Sequence, residues 1–278
     1  MTSAGVPLDY IREQILAISL QEPLVRENEP DAVHHMRVGT RRLRSVLATY
    51  RTLLGNDDDV AHLRAELKWL AGVLGRARDT QVMHQRLREL INREAAELLM
   101  GPVGRSVDVE LTAEYQSAHG QAVEALDTPR YFKLLRALDE FSAGSTALAP
   151  GSAGRLVRKE RKRLRKAVLR WKDASDEQRT DELLHVVRKQ AKRLRYAAEA
   201  AEGRKAARLA RPAHKLQRIL GHHQDSVMAR GLLRRLGAEA HLNGENGFSF
   251  GRLHGLEQCR AAVAERKFAQ AWKKFQRR

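Results

Sequence analysis

The amino-acid sequence predicts an all-α protein built from a duplicated helical unit, and three observations support this fold class. Alanine, leucine, arginine and glutamate, which all form helices well, dominate the composition. Apolar residues recur with helical spacing, whereas no segment shows the two-residue alternation that is typical of a strand. Two motifs also occur twice in the same order, which indicates duplication of one unit.

The helical periodicity divides the chain into successive segments that we predict to be helices. These segments are 8–27, 31–54, 58–75, 80–100, 106–126, 129–143, 154–172, 179–202, 205–221, 224–240 and 251–276, the last being long enough for two helices. A small, uncharged run rich in Gly, Pro and Ser interrupts them and is typical of a linker. We therefore predict an N-terminal half (1–143), a linker (144–154) and a C-terminal half (155–278), with a further loop at Asn243–Gly247.

Charge is the property that most restricts the function. The 278 residues include 51 Lys and Arg against 34 Asp and Glu, which gives a formal net charge of +17. Because such an excess repels itself in a compact fold, it favours a negative partner: nucleic acid, an anionic membrane surface or polyphosphate. Aromatic residues make up only 5%, so few side chains are available to stack on the bases of a single-stranded nucleic acid.

The sequence shows no sign of secretion or of a membrane span. Cys259 is the only cysteine, so neither an intramolecular disulfide nor a thiolate zinc site is expected. No segment approaches the roughly 18 consecutive apolar residues of a membrane span, and the first residues lack the pattern of a secretory signal. We expect a cytoplasmic protein.

The first duplicated motif is a series of basic residues at helical spacing. The residues His34, Arg37, Arg41 and Arg44 recur as His185, Arg188, Lys192 and Arg195. At about 100° per residue, each series falls within one arc of its helix, and apolar residues gather on a separate arc that would face a core. The apolar positions are Met36, Leu43, Leu47, Tyr50 and Leu54 in the first copy and Val187, Leu194 and Ala198 in the second.

Each basic series would form a ridge that runs roughly 15 Å along its helix. That length suits a linear ligand with charge along its whole length better than one small anion. Arginine forks match phosphate oxygens in a bidentate way, and a histidine at the end of the ridge can donate a further hydrogen bond. The alternative interpretation is a solvated basic helix face, with each histidine capping a carbonyl or packing against a neighbour.

The second duplicated motif is a glycine followed four residues later by an aspartate, as in Gly75 with Asp79 and Gly221 with Asp225. Glycine often follows the last turn of a helix, and aspartate often caps the first turn of the next one. The sequence therefore predicts that helices end at both glycines and begin at both aspartates.

A further basic segment follows the linker and includes Arg158, Arg161 and Arg165, with only Glu160 opposing its charge. Apolar residues at helical spacing make this segment amphipathic, so it can pack in a bundle and extend the basic surface. Such a helix could instead lie on an anionic membrane surface.

Together these motifs resemble the CHAD family, the conserved-histidine α-helical domains, over residues 8–276. The resemblance implies two pseudo-symmetric helical bundles around a central basic groove or pore that binds inorganic polyphosphate. The predicted polyphosphate contacts are His34, Arg37, Arg41, Arg42, Arg44, Arg78, His185, Arg188, Lys189, Lys192, Arg193 and Arg195, with Arg158, Arg161 and Arg165 of the basic segment added to them. Lys192 replaces the arginine of the first copy, which leaves open whether both halves contribute equally.

The sequence favours non-enzymatic binding, without a cofactor or a metal. It contains no Walker-type lysine loop, no nucleophile elbow and no Glu-x-Glu-x-Lys signature of the triphosphatase domains that accompany some CHAD domains. Nucleic-acid binding is the main alternative, although no helix-turn-helix, zinc-finger or RRM signature occurs. A metal-chelating or phosphoryl-transfer protein that uses the histidines is the lesser one. We expect the protein in the cytoplasm, associated with polyphosphate granules.

Overall fold

The computed structural model describes residues 6–54, 57–144, 152–174, 177–201 and 204–277. All regular structure in these ranges is helical, which confirms the predicted fold class. The α-helices are α1 (Val6–Arg26), α2 (Ala32–Tyr50), α3 (Asp57–Ile91), α4 (Val103–Leu126), α5 (Pro129–Gly144), α6 (Ser152–Lys172), α7 (Glu177–Ala200), α8 (Arg204–Leu242) and α9 (Phe248–Gln276). Short 3-10 turns lie at Arg51–Leu53 and Ala96–Leu98. Most of the predicted linker lies outside the described residues.

The two predicted helix breaks are wrong. The segments 58–75 and 80–100 belong largely to the single helix α3, which ends at Ile91, and 205–221 and 224–240 form the single helix α8. The segment 251–276 is likewise one helix, α9. None of the helices in the described ranges is long and apolar enough to cross a membrane.

The glycine–aspartate pairs lie inside α3 and α8, where an arginine of a neighbouring helix packs against each glycine. Gly75 is buried in α3, and a Cβ added to it would lie 3.5 Å from a guanidinium nitrogen of Arg37 on α2. A Cβ added to Gly221 would lie 3.8 Å from the guanidinium of Arg188. Both glycines therefore provide the flat surface on which an arginine of a neighbouring helix rests, and they do not end a helix.

Three hydrophobic cores organise the described residues. The first joins α1, α2, α5, the first part of α3 and the end of α4. The second joins α6, α7, the first part of α8 and the end of α9, and it buries the apolar stripe of α6. The third brings the two halves together, because Leu87 of α3, Val107 of α4, Leu233 of α8 and Phe250 of α9 are all fully or almost fully buried in it.

The long helices α3 and α8 connect each half to the shared third core. They contain 35 and 39 residues, which corresponds to roughly 50–60 Å at 1.5 Å per residue. Each helix packs in its own bundle at one end and in the third core at the other. Separating the halves would expose that apolar surface, so the long helices hold α2 and α7 in a fixed relation.

The connection between α3 and α4 is held against the loop between α8 and α9. Gly101 has a φ of 73°, and an added Cβ would lie 2.5 Å from the carbonyl oxygen of Asn246, so only glycine fits there. Next to it, the backbone N–H of Met100 donates to Ser249 Oγ at 2.6 Å, and that hydroxyl donates to the Met100 carbonyl at 2.8 Å. These contacts close the end of the third core.

Candidate anion-binding cavity

Helices α2 and α7 carry the two basic ridges and are oriented by their apolar faces. The predicted core positions are all buried: Met36, Leu43, Leu47 and Tyr50 on α2, Leu54 just after the 3-10 turn that follows α2, and Val187, Leu194 and Ala198 on α7. This confirms that an apolar stripe faces the core on each helix. Because the basic residues lie on the remaining surface, the packing of each helix determines where its ridge points.

A cavity of about 900 Å³ lies between α2, α3, α7 and α8. The cationic side chains that line it are Arg37, Arg41 and Arg44 from α2, Arg64 and Lys68 from α3, and Arg188, Lys189, Lys192 and Arg193 from α7. His185 of α7 also contributes to the lining. Residues from both duplicated motifs, although far apart in sequence, therefore share one cavity.

Seven predicted site residues do not line this cavity, and three of them are held by acidic partners. Arg42 and Arg195 both approach Glu199, with Arg42 Nε 4.0 Å from Oε2 and Arg195 Nε 2.6 Å from Oε1. Arg78 donates to Asp31 Oδ1 at 3.1 Å. These arginines contribute to the fold through ion pairs.

The other residues outside the cavity have different surroundings. The His34 ring lies at the edge of the His35 ring, with centroids 5.4 Å apart. Arg158 and Arg165 of α6 are exposed, and the Arg161 guanidinium lies 5.7 Å from the centre of the Phe275 ring. The basic segment of α6 therefore forms a separate surface.

Sequence reasoning missed two cations of the cavity, Arg64 and Lys68 of α3. The signal was present, because Arg64, Lys68, Gly75 and Asp79 fall on neighbouring positions of one helix face when α3 is continuous. The predicted break at Gly75 separated Asp79 from Arg64 and Lys68 and hid the shared face.

Arg37 is fixed by a two-pronged ion pair. Its Nη1 donates to Asp79 Oδ1 at 2.9 Å, and its Nη2 donates to Asp79 Oδ2 at 3.1 Å. Burial lowers the pKa of Arg37, while the neighbouring carboxylate opposes that effect. Since Asp79 is exposed and Arg37 is mostly covered, the pair leaves the guanidinium facing the cavity and orients it from the solvent side.

In the second half Arg188 has a related environment, but no carboxylate of the described residues lies at salt-bridge distance from it. Burial lowers its pKa, and the Asp225 carboxylate opposes this effect, whereas Arg41 and Arg37 of α2 add to it. Burial in turn raises the pKa of Asp225. The cations of the two ridges are therefore close enough to destabilise one another's charged forms.

Lys192 shows this repulsion most clearly. Its pKa is lowered to about 6, chiefly by burial and then by the charges of Arg41, Arg188 and Arg37. Burial also lowers the pKa of Arg44, with Arg41 and Arg64 adding to the effect. A bound anion would offset the mutual repulsion of these cations, because it supplies opposite charge where the protein supplies too little.

Many cations of the cavity have no acidic partner. Within the described residues, no carboxylate lies at salt-bridge distance from Arg41, Arg44, Arg64, Lys68, Lys189 or Lys192. Several buried guanidinium nitrogens also have no hydrogen-bond partner among these residues: the Nε atoms of Arg37, Arg64, Arg188 and Arg193. Unpaired buried donors are costly to the fold. The cations that line the cavity without a carboxylate partner among the described residues mark a place suited to anion oxygens.

The histidines of the two motifs differ in their contacts. His185 Nδ1 lies 2.7 Å from Gln224 Oε1, so the ring donates to the amide oxygen. Burial lowers the pKa of His185 and of His34, and neighbouring cations lower it further. In the described part of the chain, no group of three or more His, Cys, Asp or Glu side chains is arranged to hold a metal ion.

The sequence matches the family model of the CHAD domain over residues 9–234. The chain belongs to the CHAD domain family. This membership agrees with the resemblance carried by the duplicated motifs and by the all-helical fold.

Solved structures have the same fold as this CHAD domain. PptA from Streptomyces chartreusis gives a TM-score of 0.80 at 23% identity, covering 98% of this chain and 100% of that one. The CHAD domain from the plant Ricinus communis gives 0.74 at 22% identity, covering 99% and 93%. At such low identities these likenesses show the fold alone.

Two curated relatives are closer in sequence. They are the uncharacterized proteins MT2285 and Rv2226 of Mycobacterium tuberculosis strains CDC 1551 and H37Rv, each 37% identical over 261 residues. The match covers 92% of this chain but 50% of each relative. This CHAD domain therefore spans about half the length of the curated relatives it matches.

Proposed function

We propose that this CHAD domain binds inorganic polyphosphate in the cavity between α2, α3, α7 and α8, and that it does so as a binding module without catalysing a reaction. The observation that carries the proposal is the cluster of cations without acidic partners, contributed by both halves of the chain. Phosphate oxygens would accept hydrogen bonds from the guanidinium groups and neutralise their mutual repulsion.

The shape of the cluster favours a linear polyanion. The cationic residues follow α2 from Arg37 to Arg44 and α7 from Arg188 to Lys192, so charge is spread along the cavity and not focused on one point. A single phosphate could engage only part of either ridge. A chain with a charge on every repeat could engage both ridges at once.

The cavity offers little to a nucleic-acid base. Tyr196 is the only aromatic side chain among the described residues that line it, and it is almost fully buried. Base stacking on exposed aromatic rings is a common source of affinity for single-stranded nucleic acids. Membership of the CHAD family, which is associated with polyphosphate, supports the same choice of ligand.

We place the protein in the cytoplasm, associated with polyphosphate granules, because a polyphosphate-binding module would be concentrated where its ligand accumulates. The basic surface of α6, with Arg158, Arg161 and Arg165, would provide additional contacts for chains that extend beyond the cavity.

A competition titration tests the ligand class. Labelled long-chain polyphosphate is bound to the protein and displaced with unlabelled long-chain polyphosphate, pyrophosphate, duplex DNA or single-stranded RNA, at two salt concentrations. We expect long-chain polyphosphate to displace the label best and pyrophosphate to be much weaker. Affinity should fall steeply with salt, by analogy with counterion release from nucleic acids. Equal competition by pyrophosphate, or stronger competition by either nucleic acid, would overturn the proposal.

A further inference from the structure

Two residues of α3 line two cavities at once. Lys68 and Gly72 contribute to the main cavity and to a neighbouring cavity of about 640 Å³. The neighbouring cavity, called here the outer cavity, is also lined by Trp69 and Arg76 of α3 and by Gln121 of α4. This stretch of α3 therefore borders both spaces.

A row of residues winds around α3 from one cavity to the other. Arg64, Lys68, Gly72 and Arg76 follow at steps of four residues, and each step adds about 40° beyond a full turn. Over three steps the row therefore turns by about 120° and advances about 18 Å. Arg64 faces the main cavity, Arg76 faces the outer one, and the two middle positions face both.

Gly72 has no packing role that would explain a glycine. It is exposed in the interior of α3, and a Cβ added to it would meet nothing within 4 Å. Glycine destabilises a helix interior relative to alanine, because it loses more backbone entropy on folding. Gly75, by contrast, lies beneath the Arg37 guanidinium. Because Gly72 has no side chain, it leaves a gap in the row between the side chains of Lys68 and Arg76.

The outer cavity is lined by two cations, Lys68 and Arg76. In the described part of the chain, neither Lys68 nor Arg76 has a carboxylate at salt-bridge distance, and Arg76 Nη1 donates to Gln121 Oε1 at 2.6 Å. Arg130 lies 4.3 Å from the centre of the Trp69 ring, but it is paired with Glu66 at 2.6 Å. Two cations therefore remain available to an anion.

We propose that a polyphosphate chain leaves the main cavity over Gly72 and continues into the outer cavity, where Lys68 and Arg76 bind its next phosphates. This inference rests on the proposed function and adds a second binding segment to it. Long chains would occupy both cavities, whereas a short oligophosphate would occupy the main cavity alone. The absence of a side chain at Gly72 keeps the crossing open.

Two substitutions and two matched controls test the crossing. Gly72→Gln places a long neutral side chain in the gap between Lys68 and Arg76, and Arg76→Gln removes a charge from the outer cavity. Gly231→Gln and Arg234→Gln make the same changes at exposed positions of α8, and an added Cβ at Gly231 also meets nothing within 4 Å. Affinities for long-chain polyphosphate and for tripolyphosphate are measured on the whole chain, with thermal unfolding of each variant.

We expect Gly72→Gln and Arg76→Gln each to weaken binding of long-chain polyphosphate about two- to fivefold, as for one exposed charge contact. Binding of tripolyphosphate should stay unchanged in Arg76→Gln, because Arg76 lines only the outer of the two cavities, and the controls should bind both ligands as the wild type does. If both variants bind the long chain as their controls do, the crossing is refuted while the main site stands. Equal weakening of tripolyphosphate binding in Arg76→Gln also refutes the crossing, because the main cavity would then be disturbed. A wild type that binds neither ligand refutes the proposed function and the crossing with it.

Discussion

The Tyr50 hydroxyl on α2 donates a 2.7 Å hydrogen bond to the backbone carbonyl oxygen of Ala197 on α7, and both residues are fully buried. This bond joins the two helices that carry the basic motifs, and it crosses from one half of the chain to the other. Cations that repel each other line the cavity nearby. The bond therefore helps to hold two helices together whose charged faces favour separation.

Replacing Tyr50 with phenylalanine tests this role. The substitution keeps the ring in the core but removes the donor to Ala197 O, so the free energy of unfolding should fall by about 1–3 kcal/mol. Urea unfolding followed by circular dichroism measures that difference. Tyr115→Phe is a suitable control, because the Tyr115 hydroxyl bonds an exposed partner, Asn28, at 2.6 Å. Equal losses in the two variants would show that the buried bond has no special importance.

The pKa of Lys192 predicts that binding depends on pH. In the free protein this pKa is about 6, so most Lys192 side chains are neutral at pH 7. A bound polyanion favours the charged form and raises the pKa, so binding takes up a proton above pH 6. Affinity should be fully developed below pH 6 and should fall as pH rises, by at most about tenfold per unit for one proton.

Titrations of polyphosphate at constant salt between about pH 5.5 and 8.5 measure this dependence. The range spans the lowered pKa of Lys192 and the pH values above it. The variant Lys192→Met should bind more weakly and with a smaller pH slope. Any remaining slope belongs to His185, which lines the cavity and whose lowered pKa would also rise on binding. A slope that is the same in both proteins would exclude Lys192 as the linked group.

Lys192→Met should also stabilise the free protein. The pKa of Lys192 is lowered on folding from 10.5 to about 6. The unfolded chain therefore binds more protons between these two pH values, and the wild-type free energy of unfolding is reduced below about pH 10.5. Because the wild type must lose the Lys192 proton on folding, the substitution should raise the melting temperature at pH 7 by about 2–4 °C for each 1 kcal/mol gained. The gain should shrink as pH rises toward 10. A destabilised variant would show that Lys192 is not strained.

Asp79 competes with the proposed ligand for Arg37. Its carboxylate takes both terminal nitrogens of that guanidinium at the cavity. Asp79→Asn removes a negative charge from the site, so polyphosphate affinity should rise about two- to fivefold, with little loss of stability because the Asp79 side chain is exposed. Fluorescence titration compares it with Asp59→Asn, an exposed change on the same helix. Weaker binding by Asp79→Asn would mean that the carboxylate orients Arg37 more than it competes.

The sequence was sufficient for the features that depend on local periodicity. The apolar arc with Leu43 and Leu47 is buried, and residues of both basic series line one cavity. Helical spacing alone determines which side chains share a face, so the burial of the apolar arc needed no tertiary information. That both basic series line one cavity depends on how α2 and α7 pack, which the spacing does not determine. The predicted pseudo-two-fold relation of the halves stays a prediction.

The errors arose where one residue has two possible roles. A glycine followed by an aspartate is compatible with a helix boundary and also with a helix interior that accommodates a distant arginine. Only the position of Arg37 over Gly75 distinguishes the two. Similarly, Arg195 lies in the basic series but is held by Glu199, four residues later, at 2.6 Å. That acidic neighbour was visible in the sequence, whereas its approach to Arg42 from α2 required the fold.

The central claim is that the unpaired cations shared by α2 and α7 form the polyphosphate site. The most direct test compares the double variant Arg41→Gln/Lys189→Gln with the control Arg105→Gln/Arg234→Gln. In the described residues none of these four side chains has a carboxylate at salt-bridge distance, so the folding cost of both changes should be small. The dissociation constant for long-chain polyphosphate is the measurement, and circular dichroism checks the fold.

The site variant should bind about tenfold or more weakly than the wild type, since each lost contact between a charged donor and phosphate contributes roughly 1.5 kcal/mol or more. The logarithmic salt dependence should also fall by about 1.4 for two lost contacts, by analogy with single-stranded nucleic acid. The control should bind almost as the wild type does. If the site variant keeps wild-type affinity and salt dependence, polyphosphate binds elsewhere and the account is wrong.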